Sequence, residues 1–341
     1  MESENPFRLI SKLLTGTVLL CLLALALVAV LVIDPTWLVF DREEETVSEW
    51  QPKNLEADLA SASTEVRYGY ELIAHSSKNM GPLAPDPARR YAGNSLSCQN
   101  CHLGAGTVKG SASFIGVPQR FPQFRGRENK MGTLAERING CMERSMNGRA
   151  MPEDSKEMEA IIAYMEWLSE EVPEAIGQEY KGFVSLEILH VKADLLKGKE
   201  IFTNTCVRCH QADGQGERPD PNERHVYPPL WGDDSFNHGA GMHRVITAAR
   251  FIKGNMPFDQ ASWDKPVLSD EEAYHVAAYI NSLPRPQKSD PHLDFPDKTL
   301  KPVSTPYGPW TDPFTPEQHK YGPFQPIIDY YQKEYGIKKS K

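Results

Sequence analysis

The chain has 341 residues, a formal net charge of −9 and a hydrophobic share of 40%. This length predicts about two domains, and the composition excludes a chain that is disordered throughout. Because the charge is acidic and no long basic block occurs, we expect no nucleic-acid partner.

An apolar run without a charged residue occupies positions 13–33. It is long enough to cross a bilayer as one helix. Arg8 and Lys12 precede it, and Asp34, Asp41, Glu43, Glu44 and Glu45 follow it at the start of the 34–59 linker. This asymmetry predicts a cytoplasmic N-terminus at 1–12 and an uncleaved transmembrane anchor that leaves the rest on the periplasmic side of the inner membrane. A cleaved signal peptide is the alternative, although no small-residue cleavage site ends the run.

Two C-x-x-C-H motifs follow in the exported part. They are Cys98-Gln-Asn-Cys101-His102 and Cys206-Val-Arg-Cys209-His210. This spacing lets both thiols form thioethers with a haem while the adjacent histidine binds the iron. The motifs therefore predict two covalently bound haem c groups, in preference to zinc or disulfide sites, because both carry the immediate histidine.

The surroundings of the two motifs repeat. A segment with helical apolar spacing precedes each motif, and a glycine-rich loop, a Met-Pro pair and an amphipathic segment follow it. The preceding segments are residues 63–76 and 193–205, the pairs are Met151-Pro152 and Met256-Pro257, and the following segments are residues 155–171 and 269–283. This order is the plan of a small cytochrome c domain. We predict an all-α protein with two tandem cytochrome c domains, a first repeat at 60–175 and a second repeat at 185–285.

The remaining C-terminal tail, residues 286–341, differs in composition. Residues 284–326 hold eleven of the 27 prolines, a density that favours extended backbone. Aromatic residues are interleaved with these prolines, and disordered tails are usually poor in aromatics. We therefore expect an extended tail that packs on the two cytochrome domains.

The second axial ligand of each iron sets its role, because methionine suits electron transfer and an unusual ligand suits chemistry. In the second repeat Met256 is the natural candidate, with Lys253 and His243 as rivals. In the first repeat Met151 is the equivalent residue. Cys141 lies nearby, however, and is the one exported cysteine that no haem motif uses.

The charge around Cys141 is abnormal for an acidic chain. Residues 103–152 contain eight basic residues, six of them arginines, against three acidic ones. Such a cluster lowers the pKa of a thiol and supplies planar donors for an oxyanion. A pocket for sulfur oxyanions is predicted, since a thiolate can exchange with sulfane sulfur.

The two motifs, with "INGCMERSMNGRAMP" between them, resemble the dihaem thiosulfate dehydrogenases over about residues 60–285. These periplasmic cytochromes c couple two thiosulfates into tetrathionate. The resemblance implies that Cys141 is the distal ligand of the first haem and the catalytic thiol, with Arg127, Arg137 and Ser145 as substrate contacts. "KGNMP" matches the region of the family's methionine ligand, here Met256. Some members carry lysine immediately before that methionine, where this chain has Asn255.

We therefore expect a thiosulfate dehydrogenase that passes electrons through the second haem to a periplasmic acceptor such as a small cytochrome c, and that also reduces tetrathionate. A cytochrome of the sulfur-oxidising multienzyme system is a more distant resemblance. The alternative function is pure electron transfer with two His/Met haems. A dihaem peroxidase is a third possibility, but no feature resembles its extra catalytic residues.

Overall fold

The structure is a computed structural model that describes residues 6–33, 50–220 and 224–339. Positions 34–49 of the predicted linker, with the five acidic residues that follow the apolar run, lie outside these described residues. Contacts divide the chain into two compact units, Met1–Glu49 and Trp50–Lys341. In its described part, the first unit is the helix α1, Pro6–Ile33. Its segment Ile10–Ala29 has a mean hydropathy of 2.3, which suits a membrane span and equally a signal sequence.

The first repeat, together with one short helix that precedes it, contains seven described helices and one small hairpin. The helices are α2 Leu55–Asp58, α3 Thr64–Ala74, α4 Ser76–Met80, α5 Leu103–Gly106, α6 Leu134–Arg144, α7 Lys156–Leu168 and α8 Glu174–Glu179. The strands β1 Gln123–Arg125 and β2 Lys130–Gly132 pair antiparallel, with Phe124 opposite Met131. A side-chain cap fixes the start of α6, where Thr133 and Glu136 form a capping box, as the sequence order Thr-x-x-Glu favours.

The second repeat follows the same plan. Its elements are α9 Leu195–Ile201, a π-helical turn Phe202–Cys206, α10 Val207–His210, α11 Val245–Asn255 and α12 Asp270–Ser282. Short 3₁₀ turns occur in both repeats and in the tail. They are Leu59–Ser61, Pro87–Arg89, Cys98–Asn100 and Pro118–Arg120 in or before the first repeat, Gly241–His243 in the second, and Pro291–Leu293 and Lys298–Leu300 in the tail. The two predicted all-helical domains are confirmed, and the hairpin is an addition that the sequence patterns did not indicate.

One glycine in each repeat lets two helices cross closely. A Cβ at Gly69 of α3 would lie 2.0 Å from the carbonyl oxygen of Ala160 in α7. A Cβ at Gly198 of α9 would lie 2.2 Å from the carbonyl oxygen of His275 in α12. Real Cβ atoms cannot approach so closely, so both crossings require glycine. The repeat seen in the sequence therefore extends to the geometry of helix packing.

The tail packs on the second repeat and is less extended than its prolines indicate. It contains α13, Pro316–Tyr321, and α14, Gln325–Tyr335. Both helices have proline in the first turn, where no backbone N–H is needed and the fixed φ suits a helix. Phe324, Ile327 and Tyr331 are buried in the hydrophobic core that α9, α11 and α12 share.

Hydrogen bonds from the loop at 234–237 join the second repeat to the first. The Asp234 carboxylate accepts from the backbone N–H of Ser95 at 2.7 Å. The Asn237 amide donates to the carbonyl of Glu143 at 2.9 Å, and its backbone N–H donates to the carbonyl of Arg144 at 3.1 Å. The C-terminal end of α6 is therefore held by residues of the other repeat.

Candidate functional site

The two motif histidines are oriented in the same way. His102 Nδ1 lies 2.7 Å from the carbonyl oxygen of Ala112, and His210 Nδ1 lies 2.9 Å from that of Pro228. A carbonyl oxygen only accepts, so Nδ1 carries the proton and Nε2 is left as the metal-ligating atom in both rings. A carbonyl partner of this kind fixes the tautomer and the ring direction of a ligating histidine. Ala112 and Pro228 carry no sequence signal for this role, because their contribution is backbone.

One cavity is lined by residues of both motifs. Cys206, Cys209 and His210 line it from the second repeat, together with Met256, while Cys101 lines it from the first. Its apolar walls include Leu230, Phe251, Ile252 and Leu268. Thiols, an oriented imidazole and a thioether around an apolar space fit a covalently attached haem.

Cys141 lies beside His102 and in contact with Arg137. The Arg137 guanidinium donates to Cys141 Sγ at 2.7 Å. Burial raises the pKa of the Cys141 thiol, but the charge of Arg137, a hydrogen bond with His102 and the charge of Arg144 outweigh it and bring the pKa to about 5. Burial raises the pKa of Cys98 to about 11 and that of Cys101 to about 12, and Cys141 contributes to both shifts. The spare thiol therefore lies with the first haem motif.

The spacing along α6 accounts for this arrangement. Arg137 and Cys141 are four residues apart, and Ser145 caps the helix four residues later, so all three share one helix face. Ser145 is partly buried, and its carbonyl accepts from the Asn94 amide at 3.0 Å. Met151, the rival ligand, is 2% exposed. Its backbone N–H donates to the Asn139 side-chain oxygen, and its carbonyl accepts from the Asn139 side-chain amide.

Four arginines form an electropositive cluster near Cys141: Arg127, Arg137, Arg144 and Arg244. Burial lowers the pKa of Arg144 to about 10, with a further contribution from Arg127. Burial lowers the pKa of Arg244 to about 9, and Arg127, Arg137 and Arg144 all contribute. The four guanidinium groups outnumber the carboxylates of Asp294 and Glu128 that lie beside Arg127 and Arg144, and this excess of positive charge suits an anion.

Arg244 comes from the second repeat, which is why local charge in the sequence did not indicate it. Conversely, the clustering of arginines in the sequence overstated how many of them lie near Cys141. Arg120 donates to the carbonyl of Gly177, and Arg149 stacks on Tyr91. Arg125 forms two bonds with the Glu128 carboxylate, at 2.9 and 3.0 Å. The expectation that six arginines surround the thiol is wrong, because neighbours in a loop sequence direct their side chains to different partners.

Gly140 provides the space that Arg144 occupies. A Cβ at this position would lie 2.2 Å from Nη2 of Arg144. Arg144 is only 8% exposed, and its guanidinium lies 3.7 Å from the Glu128 carboxylate. Because residue 140 is glycine, the buried guanidinium of Arg144 has space next to the residue that carries the thiol, Cys141.

The second repeat presents Met256 and not its rivals to the cavity. Met256 ends α11 and lines the cavity. Lys253 donates to the carbonyl of Ser185 and pairs with the Asp270 carboxylate at 2.5 Å. Both ring nitrogens of His243 lie within 3.3 Å of backbone carbonyl oxygens. Asn255 donates to the carbonyl of Gly110 in the first repeat at 3.0 Å.

Known families match both repeats in order. Residues 89–173 match the sequence model of the SoxA/TsdA cytochrome c domain, and residues 195–284 match that of cytochrome c. Each repeat is therefore a cytochrome c domain, and the protein carries covalently bound haem c with its iron.

Whole proteins are similar as well. A thiosulfate dehydrogenase from Psychrobacter arcticus is 40% identical over 233 residues, which cover 68% of this chain and 67% of that protein. One from Stutzerimonas stutzeri is 44% identical over 60% of this chain and 64% of its own length. One from Allochromatium vinosum is 42% identical over 62% of this chain and 78% of its own length.

A solved structure of thiosulfate dehydrogenase (TsdBA) from Marichromatium purpuratum, in the "as isolated" form, superposes with a TM-score of 0.62 at 33% identity. The match covers 73% of this chain and 52% of that one, so it spans about half of the neighbour's length. The two matched family domains contain both haem motifs and Cys141, and with the 40% identity to the relative from Psychrobacter arcticus the chain belongs to the thiosulfate dehydrogenase family of cytochromes c.

Proposed function

We propose that this protein oxidises two thiosulfates to tetrathionate at Cys141. The observation that carries the proposal is the contact of Cys141 Sγ with Arg137 at 2.7 Å, beside the histidine of the first haem motif. A site that only transfers electrons binds no substrate and does not require a charged donor beside a thiol. An oxyanion that must bring its sulfur to that thiol needs such a donor.

The chain offers a complete set of residues for two haems. Cys98 and Cys101 would hold the first through thioethers, and Cys206 and Cys209 would hold the second. The axial ligands would be His102 with Cys141 in the first site, and His210 with Met256 in the second. When bound, the haems supply acceptors that take up electrons one at a time and conduct them out of the site.

The arginine cluster overcomes the repulsion between two dianions. Like charges brought together in a site of low dielectric constant repel strongly. Arg127 and Arg137 would bind the sulfonate oxygens, and the Ser145 hydroxyl would donate a further hydrogen bond. The buried guanidinium groups of Arg144 and Arg244 add positive charge without needing to touch the substrate.

The sulfur chemistry then balances in two steps. The Cys141 thiolate forms an S–S bond with the sulfane sulfur of one thiosulfate, giving a protein S-thiosulfonate and releasing two electrons. The sulfane sulfur of a second thiosulfate attacks that sulfur, so the bond to Cys141 breaks and tetrathionate leaves. The thiolate is regenerated, and no proton is required. Reduction of tetrathionate is the reverse sequence at the same residues.

A steady-state assay tests this function. Thiosulfate with ferricyanide should give tetrathionate and ferrocyanide in a ratio of one to two, and tetrathionate with a reduced viologen should give thiosulfate. Absence of both reactions in protein with a full haem content would contradict the proposal and leave an electron-transfer cytochrome. Electron paramagnetic resonance separates the two functions independently, because a thiolate-ligated low-spin haem has a signature that a His/Met haem lacks.

We also propose that α1 stays attached as an anchor and that the domains work at the periplasmic face, with a small cytochrome c as the acceptor. The length and apolar character of α1 support this. Carbonate washing of membranes should leave the protein in the pellet, whereas release with a shortened N-terminus would indicate a cleaved signal peptide.

A further inference from the structure

The C-terminal tail forms hydrogen bonds with Arg127, which lies in the turn between β1 and β2. Nη1 of Arg127 donates to the Asp294 carboxylate and, at 2.8 Å, to the Tyr307 hydroxyl. The Tyr307 hydroxyl in turn donates to the same carboxylate oxygen at 2.5 Å. Arginine, tyrosine and aspartate thus form a closed triangle of hydrogen bonds between the first repeat and the tail.

Backbone and packing contacts reinforce this triangle. The Phe295 N–H donates to the carbonyl of Arg127 at 2.7 Å, and the Arg127 guanidinium lies 4.9 Å from the centre of the Phe295 ring. Phe295 is 4% exposed and has a φ of 57°, a left-handed conformation that is costly for a bulky side chain. A Cβ at Gly126 would lie 3.3 Å from the Leu300 side chain. The tail therefore holds both the backbone and the side chain of Arg127.

Asp294 is itself fixed from the tail side. The residue is 6% exposed, and its second carboxylate oxygen lies 3.6 Å from the Lys288 ammonium. The Lys298 ammonium donates to its backbone carbonyl at 3.0 Å. A carboxylate held in this way can direct a guanidinium, because its own position does not depend on the arginine.

Arg127 needs such support because of its surroundings. A long arginine side chain has many rotamers, and three other guanidinium groups repel it from the cluster. Both hydrogen bonds with the tail use Nη1, so these two contacts leave the N–H groups of Nη2 and Nε to donate to a bound anion. Orienting a side chain before the ligand arrives strengthens binding, since less freedom is lost on binding.

We propose that Asp294 and Tyr307 of the tail are positioning residues that orient Arg127 toward a sulfur oxyanion. The inference rests on the proposed function, in which Arg127 binds the substrate. It gives the proline-rich tail, which lies outside the family resemblance, a part in building the catalytic pocket of the first repeat.

Tyr307→Phe tests the hydroxyl, and Tyr331→Phe is its matched control. The Tyr331 hydroxyl also donates to a tail carboxylate, that of Asp312, at 2.7 Å, but it does not contact Arg127. We expect Tyr307→Phe to raise the KM for thiosulfate about three- to tenfold with kcat within about twofold, the effect of one lost hydrogen bond. Tyr331→Phe should lower the melting temperature similarly and leave KM unchanged. Equal KM values in the two variants would overturn the proposal.

Asp294→Asn tests whether the carboxylate acts through Arg127. We expect it to raise KM by about tenfold in the otherwise unchanged protein and to have no further effect in an Arg127→Ala background. Additive effects in the double variant would overturn the proposal. A fall in KM would also overturn it, because Asp294 would then compete with the substrate for the arginine.

Binding of inorganic sulfate separates this inference from the proposed function. Calorimetry on the full-length protein in detergent should show sulfate binding that Tyr307→Phe weakens about three- to tenfold and Tyr331→Phe leaves unchanged. This result in a protein that does not turn over thiosulfate would contradict the function and support the positioning of Arg127. Normal turnover with unchanged KM and unchanged sulfate affinity in Tyr307→Phe would refute the positioning role alone.

Discussion

Beside the motif histidine of the first repeat lies Cys141, near three arginines of that repeat and Arg244 of the second. The second repeat surrounds His210 and Met256 with apolar side chains. On the histidine side the two sites are alike, because a backbone carbonyl fixes Nδ1 in both. The difference lies in what faces the histidine. A neutral thioether in an apolar wall suits electron transfer, while a thiol under guanidinium groups suits chemistry on an anion.

The two repeats therefore share a helical plan and differ in the side chains that they place near the motif histidine. In the first repeat α6 carries Arg137, Cys141 and Ser145 on one face. In the second repeat α11 is almost wholly buried and ends at Met256. The helical frame is kept, and the charge and the ligand type change.

Replacing Cys141 by alanine should have the largest effect and remove the distinction between the sites. Thiosulfate oxidation with ferricyanide should fall by at least about a thousandfold, because the residue that bonds to sulfane sulfur is lost. Haem content per chain should stay at two, since no thioether is touched. Retention of most activity would contradict the catalytic assignment and restore Met151 as the ligand of the first haem.

Removing single arginines should weaken the first site by less. Arg137→Ala and Arg127→Ala should each raise KM or lower kcat by one or two orders of magnitude, because loss of a charge-assisted contact costs about 1.5–3 kcal/mol. Arg149→Ala is the matched control: this arginine lies in the same basic segment but stacks on Tyr91. If all three variants oxidise thiosulfate alike, the cluster does not bind the substrate.

Met256→Gly should act on the second site alone. A thioether favours ferrous iron, so its loss should lower the potential of that haem on the order of 100 mV, within the range of roughly 0.8 V that axial ligands span. Electron exit during thiosulfate oxidation should slow, and the signal of the first haem should stay unchanged in an optical redox titration. Lys253→Ala, which breaks the ion pair with Asp270, should leave both potentials unchanged. A shift in that variant instead would identify lysine as the ligand.

Asn255→Ala should have the smallest effect on function and a clear one on stability. The variant leaves the carbonyl of Gly110 without the donor that now lies at 3.0 Å. A buried group that loses its partner costs about 1–3 kcal/mol, which denaturant unfolding of the holoprotein would measure. Turnover should stay within about twofold. A large change in the second-haem potential would show that Asn255 controls Met256 and does more than join the repeats.

The helices were predictable because their signals are local. The apolar spacing of residues 155–171 and 269–283 corresponds to α7 and α12, which Ser155 and Ser269 cap in the structure. The short hairpin at 123–132 was not indicated, because strands of three residues carry too little periodicity. The tail helices α13 and α14 were missed because proline was counted as a helix breaker, whereas it is tolerated in the first turn.

The candidate site was predictable where its residues share one segment. Arg137, Cys141 and Ser145 follow a four-residue spacing that a helix turns into one face, and that spacing was available in the sequence. Arg244, Asp294 and Tyr307 were not predictable in this way, because folding brings them to the site from more than a hundred positions away. Ala112 and Pro228 act through carbonyl groups, which every residue type has.

The bonds from residues 234–237 to the end of α6, and those from the tail to Arg127, have a consequence for the order of biosynthesis. The first haem motif lies at residues 98–102, but the pocket beside it is completed by residues that are synthesised much later. A nascent chain that has acquired only its first haem therefore lacks an oriented Arg127 and a fixed α6. The contacts that hold Arg127 and the end of α6 are therefore complete only when the C-terminal third of the chain has folded.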